Sequence, residues 1–179
     1  MTNYNTYPSK GIDSKVKQIQ NVLFSQLGFT NVDFYGCVLK SLNKDSKTII
    51  PEFYYDFPKK REVYYDGKTA PGGNVFFIDG DKHKELIGGV FQADIKVVFM
   101  LNLEKLFPNK EYRASSEVQE HCIKLVKKLG CFSGSITLEK GLENVLSGFD
   151  TSKIKLNDMQ PYHIFSINGT INYSFNCNH

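Results

Sequence analysis

The run at 93–103, Ala-Asp-Ile-Lys-Val-Val-Phe-Met-Leu-Asn-Leu, constrains the fold more than any other part of the chain. Ile95, Val97, Phe99 and Leu101 alternate with Lys96, Val98, Met100 and Asn102. A strand sends successive side chains to opposite faces, and here both sets are mostly apolar. Such a strand has to be covered on both sides over part of its length. It predicts the centre of a sheet with packed layers on two faces.

The segments around it supply those layers. Val16, Ile19, Leu23 and Leu27 recur at spacings of three and four, with Asp13 or Ser14 as a cap and Gly28 as a stop, and predict a helix over 13–27. Ser116-Glu117-Val118-Gln119 reads as a capping box. Val118, Cys122, Leu125, Val126 and Leu129 form the stripe of a second helix that Gly130 ends. Leu142, Val145 and Leu146 fit a short third helix before Gly148. Strands are predicted over 32–42, with a bulge at Gly36, and over 48–56, where Pro51 argues for a sheet edge or a bulge. The two are expected to form a hairpin around 43–47. Shorter extended pieces fall at 74–78, ahead of an Asp79-Gly80-Asp81 turn, at 135–138, and near Ile154 and Leu156. Asn168-Gly169 between two apolar runs predicts a closing hairpin over 162–175, the alternative being one long strand bulged at that point.

The expected fold is α/β in the broad sense (α+β). It is a single mixed, mainly antiparallel sheet with two main helices on one face and a projecting loop or hairpin. With 179 residues, 41% hydrophobic and 23% charged, the chain suits one globular domain. Residues 1–12 are polar and read as a flexible arm; 13–179 form the domain, with the projecting loop at about 57–73.

Composition narrows the function. A net charge of +3 is far from the imbalance of a dedicated nucleic-acid binder. Cys37, Cys122, Cys131 and Cys177 form no Cys-x-x-Cys pair and lie in apolar runs, as expected of reduced thiols in an intracellular protein. Residues 1–10 carry no apolar signal-peptide core, and no apolar run reaches the ~18–20 residues that cross a bilayer. The sequons at Asn168 and Asn172 then read as chance matches.

Few residue patterns suggest chemistry. Gly72-Gly73 precedes a strand, so it offers no helix amides to a phosphate. His83, His121, His163 and His179 show no metal-ligand spacing, and no nucleophile-elbow pattern occurs. Asp81 followed by Asp94-Ile95-Lys96 resembles the PD-(D/E)xK pattern of metal-dependent nucleases, in which two carboxylates hold Mg²⁺ and the lysine orients a hydroxide. The same residues also suit a turn and the polar start of a central strand. No catalytic, cofactor or metal residues are assigned from the sequence.

The segment 53–68 is the stronger candidate. It gathers Phe57, Lys59, Lys60, Arg61, Tyr64 and Tyr65 beside Phe53, Tyr54 and Tyr55. Aromatics and arginine suit a protein interface. Aromatics interleaved with basic residues also suit single-stranded nucleic acid, and the bland alternative packs the rings on the sheet with Lys and Arg solvated.

The order of elements runs from a first helix, through a strand pair with an extended loop, to the strong strand at 93–103 and the capped helix at 116–129. A closing strand follows, entered through Asp158-Met159-Gln160-Pro161-Tyr162. This order resembles the tail-terminator and head–tail joining proteins of tailed bacteriophages. The Asn-, Lys- and Tyr-rich usage looks like phages with AT-rich genomes, crAss-like phages among them. The resemblance implies a structural virion protein, made in the host cytoplasm, that closes into a hexameric or dodecameric ring in the neck. Its neighbours would be portal, neck or tail proteins, and double-stranded DNA would pass through its lumen without sequence-specific binding. It implies no catalytic residue and no cofactor. It also implies a hairpin reaching toward a neighbour, expected here at 57–73, with Tyr64 and Tyr65 in the contact.

Overall fold

The computed structural model describes residues 2–4, 9–110, 114–154 and 159–174. The expectations for Leu156, Asp158, Phe175, Cys177 and His179 lie outside the described residues. The strand elements are β1 (Asn3–Tyr4), β2 (Val32–Cys37), β3 (Leu39–Leu42), β4 (Ile49–Asp56), β5 (Lys59–Glu62), β6 (Gly73–Glu85), β7 (Val90–Asn102), β8 (Phe132–Lys140) and β9 (Tyr162–Ser174). The helices are α1 (Ile12–Gln26), α2 (Leu103–Leu106), α3 (Ala114–Leu129) and α4 (Leu142–Val145). None is long and apolar enough, among the described residues, to cross a membrane.

Six strands form the main sheet in the order β1-β2-β6-β7-β9-β8. β1–β2 and β2–β6 pair in parallel and the other neighbours antiparallel, so the sheet is mixed and mainly antiparallel. β7 lies inside it, as the two apolar faces of 93–103 require. Ile95, Val97, Phe99 and Leu101 pack with α1 and α3 on one face, whereas Val98 and Met100 pack on the other. Both main helices therefore share a face, and each buries the stripe legible in the sequence: Val16, Ile19 and Leu23 on α1, Val118, Cys122, Leu125 and Val126 on α3.

The opposite face is closed by a second sheet, β3-β4-β5, which corrects the expectation of one sheet. The β2–β6 register shifts between Phe34 and Cys37, at the Gly36 bulge, and the chain leaves the main sheet after it. Pro51 consequently sits in the middle strand of three and not at an edge. The Pro51 carbonyl accepts from Val63 N at 3.2 Å, just past the end of β5. A residue's N–H and C=O point to the same side of a strand, so the missing proline N–H falls where the ladder is ending and costs little.

Other local expectations shift. Residues 1–12 are not wholly a loose arm: β1 pairs with β2, and Gln20 Nε2 donates to Tyr4 O at 2.8 Å. Gly11, not Asp13 or Ser14, caps α1. Ser116 lies within α3, which already begins at Ala114. Asp79-Gly80-Asp81 is no turn; β6 runs through it with a register shift between Asp79 and His83. Asn168-Gly169 is no hairpin either; the alternative of one long strand is what forms. β9 is one strand paired without interruption to β7 from Tyr162 to Ser174, and the bulge belongs to β8 between Ser133 and Thr137. Gly169 serves close approach: a Cβ there would stand 2.3 Å from Phe132 Cδ1.

Candidate assembly surface

The small sheet is two-sided. Ile50 and Phe53 turn inward, where Phe53 meets Tyr35 edge-on at 5.8 Å. Val63, Tyr64 and Tyr65 follow β5 directly into this layer and are buried. Tyr64 Oη donates to Asp150 O at 2.7 Å and Tyr65 Oη to Pro71 O at 2.9 Å. This corrects the placing of Tyr64 and Tyr65 on a projecting loop. Their rings help to close the second core, so truncating them reports on folding and not on assembly.

The exposed part of the sheet is different. Among the described residues, ten large hydrophobic side chains are exposed. Six of them lie on this sheet and its turn: Leu39, Leu42, Ile49, Tyr54, Tyr55 and Phe57. Phe57 is 82% exposed and Leu42 65%. Lys59 and Lys60 flank them at the surface. Their pairs with Asp56 (3.3 Å) and Glu52 (3.9 Å) are the kind of surface ion pair that contributes little. Arg61 is half-buried, its guanidinium 4.3 Å from the Tyr55 ring centre and 5.3 Å from that of Tyr4, so it ties the hairpin to the N-terminal strand. Of the residues singled out in the sequence, Phe57, Lys59 and Lys60 thus stay exposed on the hairpin, Arg61 braces it, and Tyr64 and Tyr65 leave it for the core.

The projecting hairpin exists, but at the other end of the main sheet. From Asp81 to Gly89 every residue is exposed. The β6–β7 ladder continues through His83–Ala93 to Glu85–Phe91, and β9 backs β7 as far as Val90–Ser174. At the tip Leu86 is exposed and Ile87 is 94% exposed. The sequence did hold a signal for it, since Gly88-Gly89 between two apolar runs is a hairpin pattern. The turn-like Asp79-Gly80-Asp81 masked it by making 74–78 look like a complete strand.

Between the small sheet, the start of α1 and the middle of β6 lies a cleft of about 490 Å³. Val38, Leu39, Phe53 and Phe57 make it apolar, and Asp13 and Asp79 enter its wall. Burial raises the carboxyl pKa of both. Cys37 donates its thiol to Asp13, and burial next to these two acids pushes that thiol far up, so it is protonated at neutral pH and no nucleophile. His83 Nε2 stands 3.2 Å from Asp79 Oδ1 but aims at Gly80 O (3.0 Å), while Nδ1 meets Tyr173 Oη at 2.6 Å. Apart from this histidine, no donor among the described residues reaches Asp79 Oδ1.

The residues of the nuclease-like pattern are each engaged elsewhere. Asp81 pairs with Lys40, and Asp94 accepts from Thr170 Oγ1 at 2.8 Å. Lys96 Nζ spends its three donors on Glu139 (2.8 Å) and the carbonyls of Asn144 and Val145 (3.2 and 3.3 Å). Among the described residues no group of three or more His, Cys, Asp or Glu side chains is placed to hold a metal ion.

Burial pushes the Tyr35 phenol up to about 12, with the Asp33 charge adding to the shift and Arg61 opposing it. Tyr64 and Tyr65 are also raised by burial. An unfolded tyrosine ionises near 10, so above that value the unfolded chain loses its protons first and stability falls as pH rises through the folded pKa. The denaturant midpoint is expected to drop between about pH 10 and 12. Over the same range the tyrosinate absorbance of the folded protein should lag that of the unfolded chain. Coincident titration curves would show that these rings are not buried.

The chain matches no family model and no curated protein sequence.

Proposed function

We propose that this chain is a structural assembly protein whose copies close into a ring, in the role of a head–tail connector or tail terminator in a phage neck. The observation that carries the reading is the concentration of exposed apolar side chains on the β3-β4-β5 sheet and its turn. Monomeric proteins scatter such residues, and a contiguous patch ringed by polar groups marks a surface that another protein covers. The second exposed apolar group, at the β6–β7 tip, is a different patch. Two unlike patches on one chain suit head-to-tail contacts, which generate rings when the rotation closes. A rigid projecting hairpin is also what the resemblance to neck proteins calls for, with portal, neck or tail proteins as further partners and DNA passing through the lumen.

The test is the oligomeric state. Phe57→Asp together with Leu42→Asp removes apolar contact from exposed positions, so the monomer is expected to fold with an unchanged melting curve. Mass photometry is expected to show assembly weakened at least tenfold. Unchanged assembly of that variant would remove the small sheet from the interface.

A further inference from the structure

The cleft beside the small sheet and the tip of the β6–β7 hairpin complement each other in apolar character and charge. The cleft is apolar with half-buried acids, Asp13 and Asp79, in its wall. The hairpin offers the converse. Lys82, Lys84 and Leu86 alternate along β6 and its turn and so share one face. Neither lysine has an ion-pair partner among the described residues. A tip in which Ile87 is 94% exposed has nothing covering it among the described residues.

We propose that the cleft receives the β6–β7 tip of a second copy, with Leu86 and Ile87 entering among Val38, Leu39 and Phe53 and Lys84 reaching Asp79. The proposal rests on the assembly reading and names the contact that would join neighbouring subunits.

The donor has to be another molecule. Asp79 and Ile87 are separated by eight residues of extended chain, about 26 Å at ~3.3 Å each. The ladder of β6 on β7, backed by β9, keeps the tip from folding back. The Asp79 side chain is 32% exposed in the cleft wall, with His83 beside it at 3.2 Å, so its carboxylate can still accept from a lysine ammonium. A half-buried carboxylate that is incompletely paired is a cost to the monomer. A partner's cation would offset that cost. Because tip and cleft are different surfaces of one chain, each copy donates once and accepts once, the arrangement from which a closed ring follows.

The experiment mixes two full-length variants, Ile87→Cys and Leu39→Cys, under mild oxidation and maps the linked peptides by mass spectrometry. A bridge between positions 87 and 39 of different copies is expected to exceed 87–87 and 39–39 bridges. In parallel, Asp79→Asn is expected to weaken assembly at least tenfold while the melting temperature stays level or rises, since a partly desolvated charge is removed. Ile87→Asp is expected to weaken assembly as strongly without touching the core. An oligomeric wild type that shows no 87–39 bridge, and that Ile87→Asp leaves intact, overturns the tip–cleft contact and leaves the assembly reading standing. A wild type that stays monomeric at high concentration and forms no such bridge overturns both.

Discussion

Replacing Phe99 by Ala is expected to destabilise the fold by about 3–5 kcal/mol, the range for removing a large aromatic from a sealed core. Phe99 has no exposed surface and lies on β7 between Val75 of β6 and Phe165 of β9. Its ring stacks on that of Phe165 with centres 4.6 Å apart and planes 6° from parallel. The layer above it comes from α1 and α3, and helices held by the rest of the sheet cannot collapse into the space left behind. For a chain of this size the loss corresponds to a fall in Tm of roughly 6–20 °C. Phe99→Leu keeps most of the apolar volume and is expected to cost only about 1–1.5 kcal/mol. A change below about 1 kcal/mol for Phe99→Ala by chemical denaturation would mean that the centre of the sheet is not packed as described.

Gly73→Ala is expected to have a comparable effect for a different reason. Gly73 opens β6 with φ +142°, and a Cβ built there would stand 2.4 Å from Met100 O and 2.9 Å from Leu101 Cα. Both are backbone atoms of β7, which cannot move without disturbing the central ladder. Backbone strain of about 1–3 kcal/mol adds to overpacking of about 1–3 kcal/mol. Gly88→Ala is the matching control, because Gly88 also has positive φ (73°) but a Cβ there meets nothing within 4 Å. It is expected to cost about 1–2 kcal/mol, the left-handed penalty alone. Equal effects at the two positions, read from thermal melts, would deny the close approach of β6 to β7. The same geometry explains Gly72-Gly73: a Cβ at Gly72 would stand 2.4 Å from Thr30 O, so the pair lets the chain pass between the turn before β2 and the end of β7.

Legibility in the sequence followed the range of the interactions. Helices α1 and α3 were readable because a helix's apolar stripe is written within one segment. The central strand was readable because its two apolar faces are. The second sheet was not, since the pattern at 39–56 states that one side of a hairpin is buried but not which layer buries it. Asn168-Gly169 and Asp79-Gly80-Asp81 were misread for a related reason. Both are good turn residues, yet pairing with β7 on one side holds each in a strand, and the ladder outweighs a local turn preference of a few tenths to ~1 kcal/mol.

The candidate surface divides along the same line. The aromatic and basic content of 53–65 singled out a hairpin on which Phe57, Lys59 and Lys60 are exposed. Tyr54 and Tyr55 are exposed there too, whereas Tyr64 and Tyr65, ten residues on, are core. Composition alone ranks the four tyrosines equally. What separates them is the end of β5 at Glu62, after which the chain turns beneath the sheet and Asp150 and Pro71 supply carbonyls for the two phenols.

By itself, then, the sequence determined the class of fold, the two main helices with their buried stripes, the strand that anchors the sheet, and the segment where aromatic and basic residues gather. Only the tertiary structure decided that a second sheet closes the far face, that the projecting hairpin is β6–β7, and that an acid-walled cleft lies at its foot. The physical reason is that a side chain's periodicity is a property of its own segment. Which face is covered, and which carboxylate is deprived of water, depends on what distant parts of the chain bring against it.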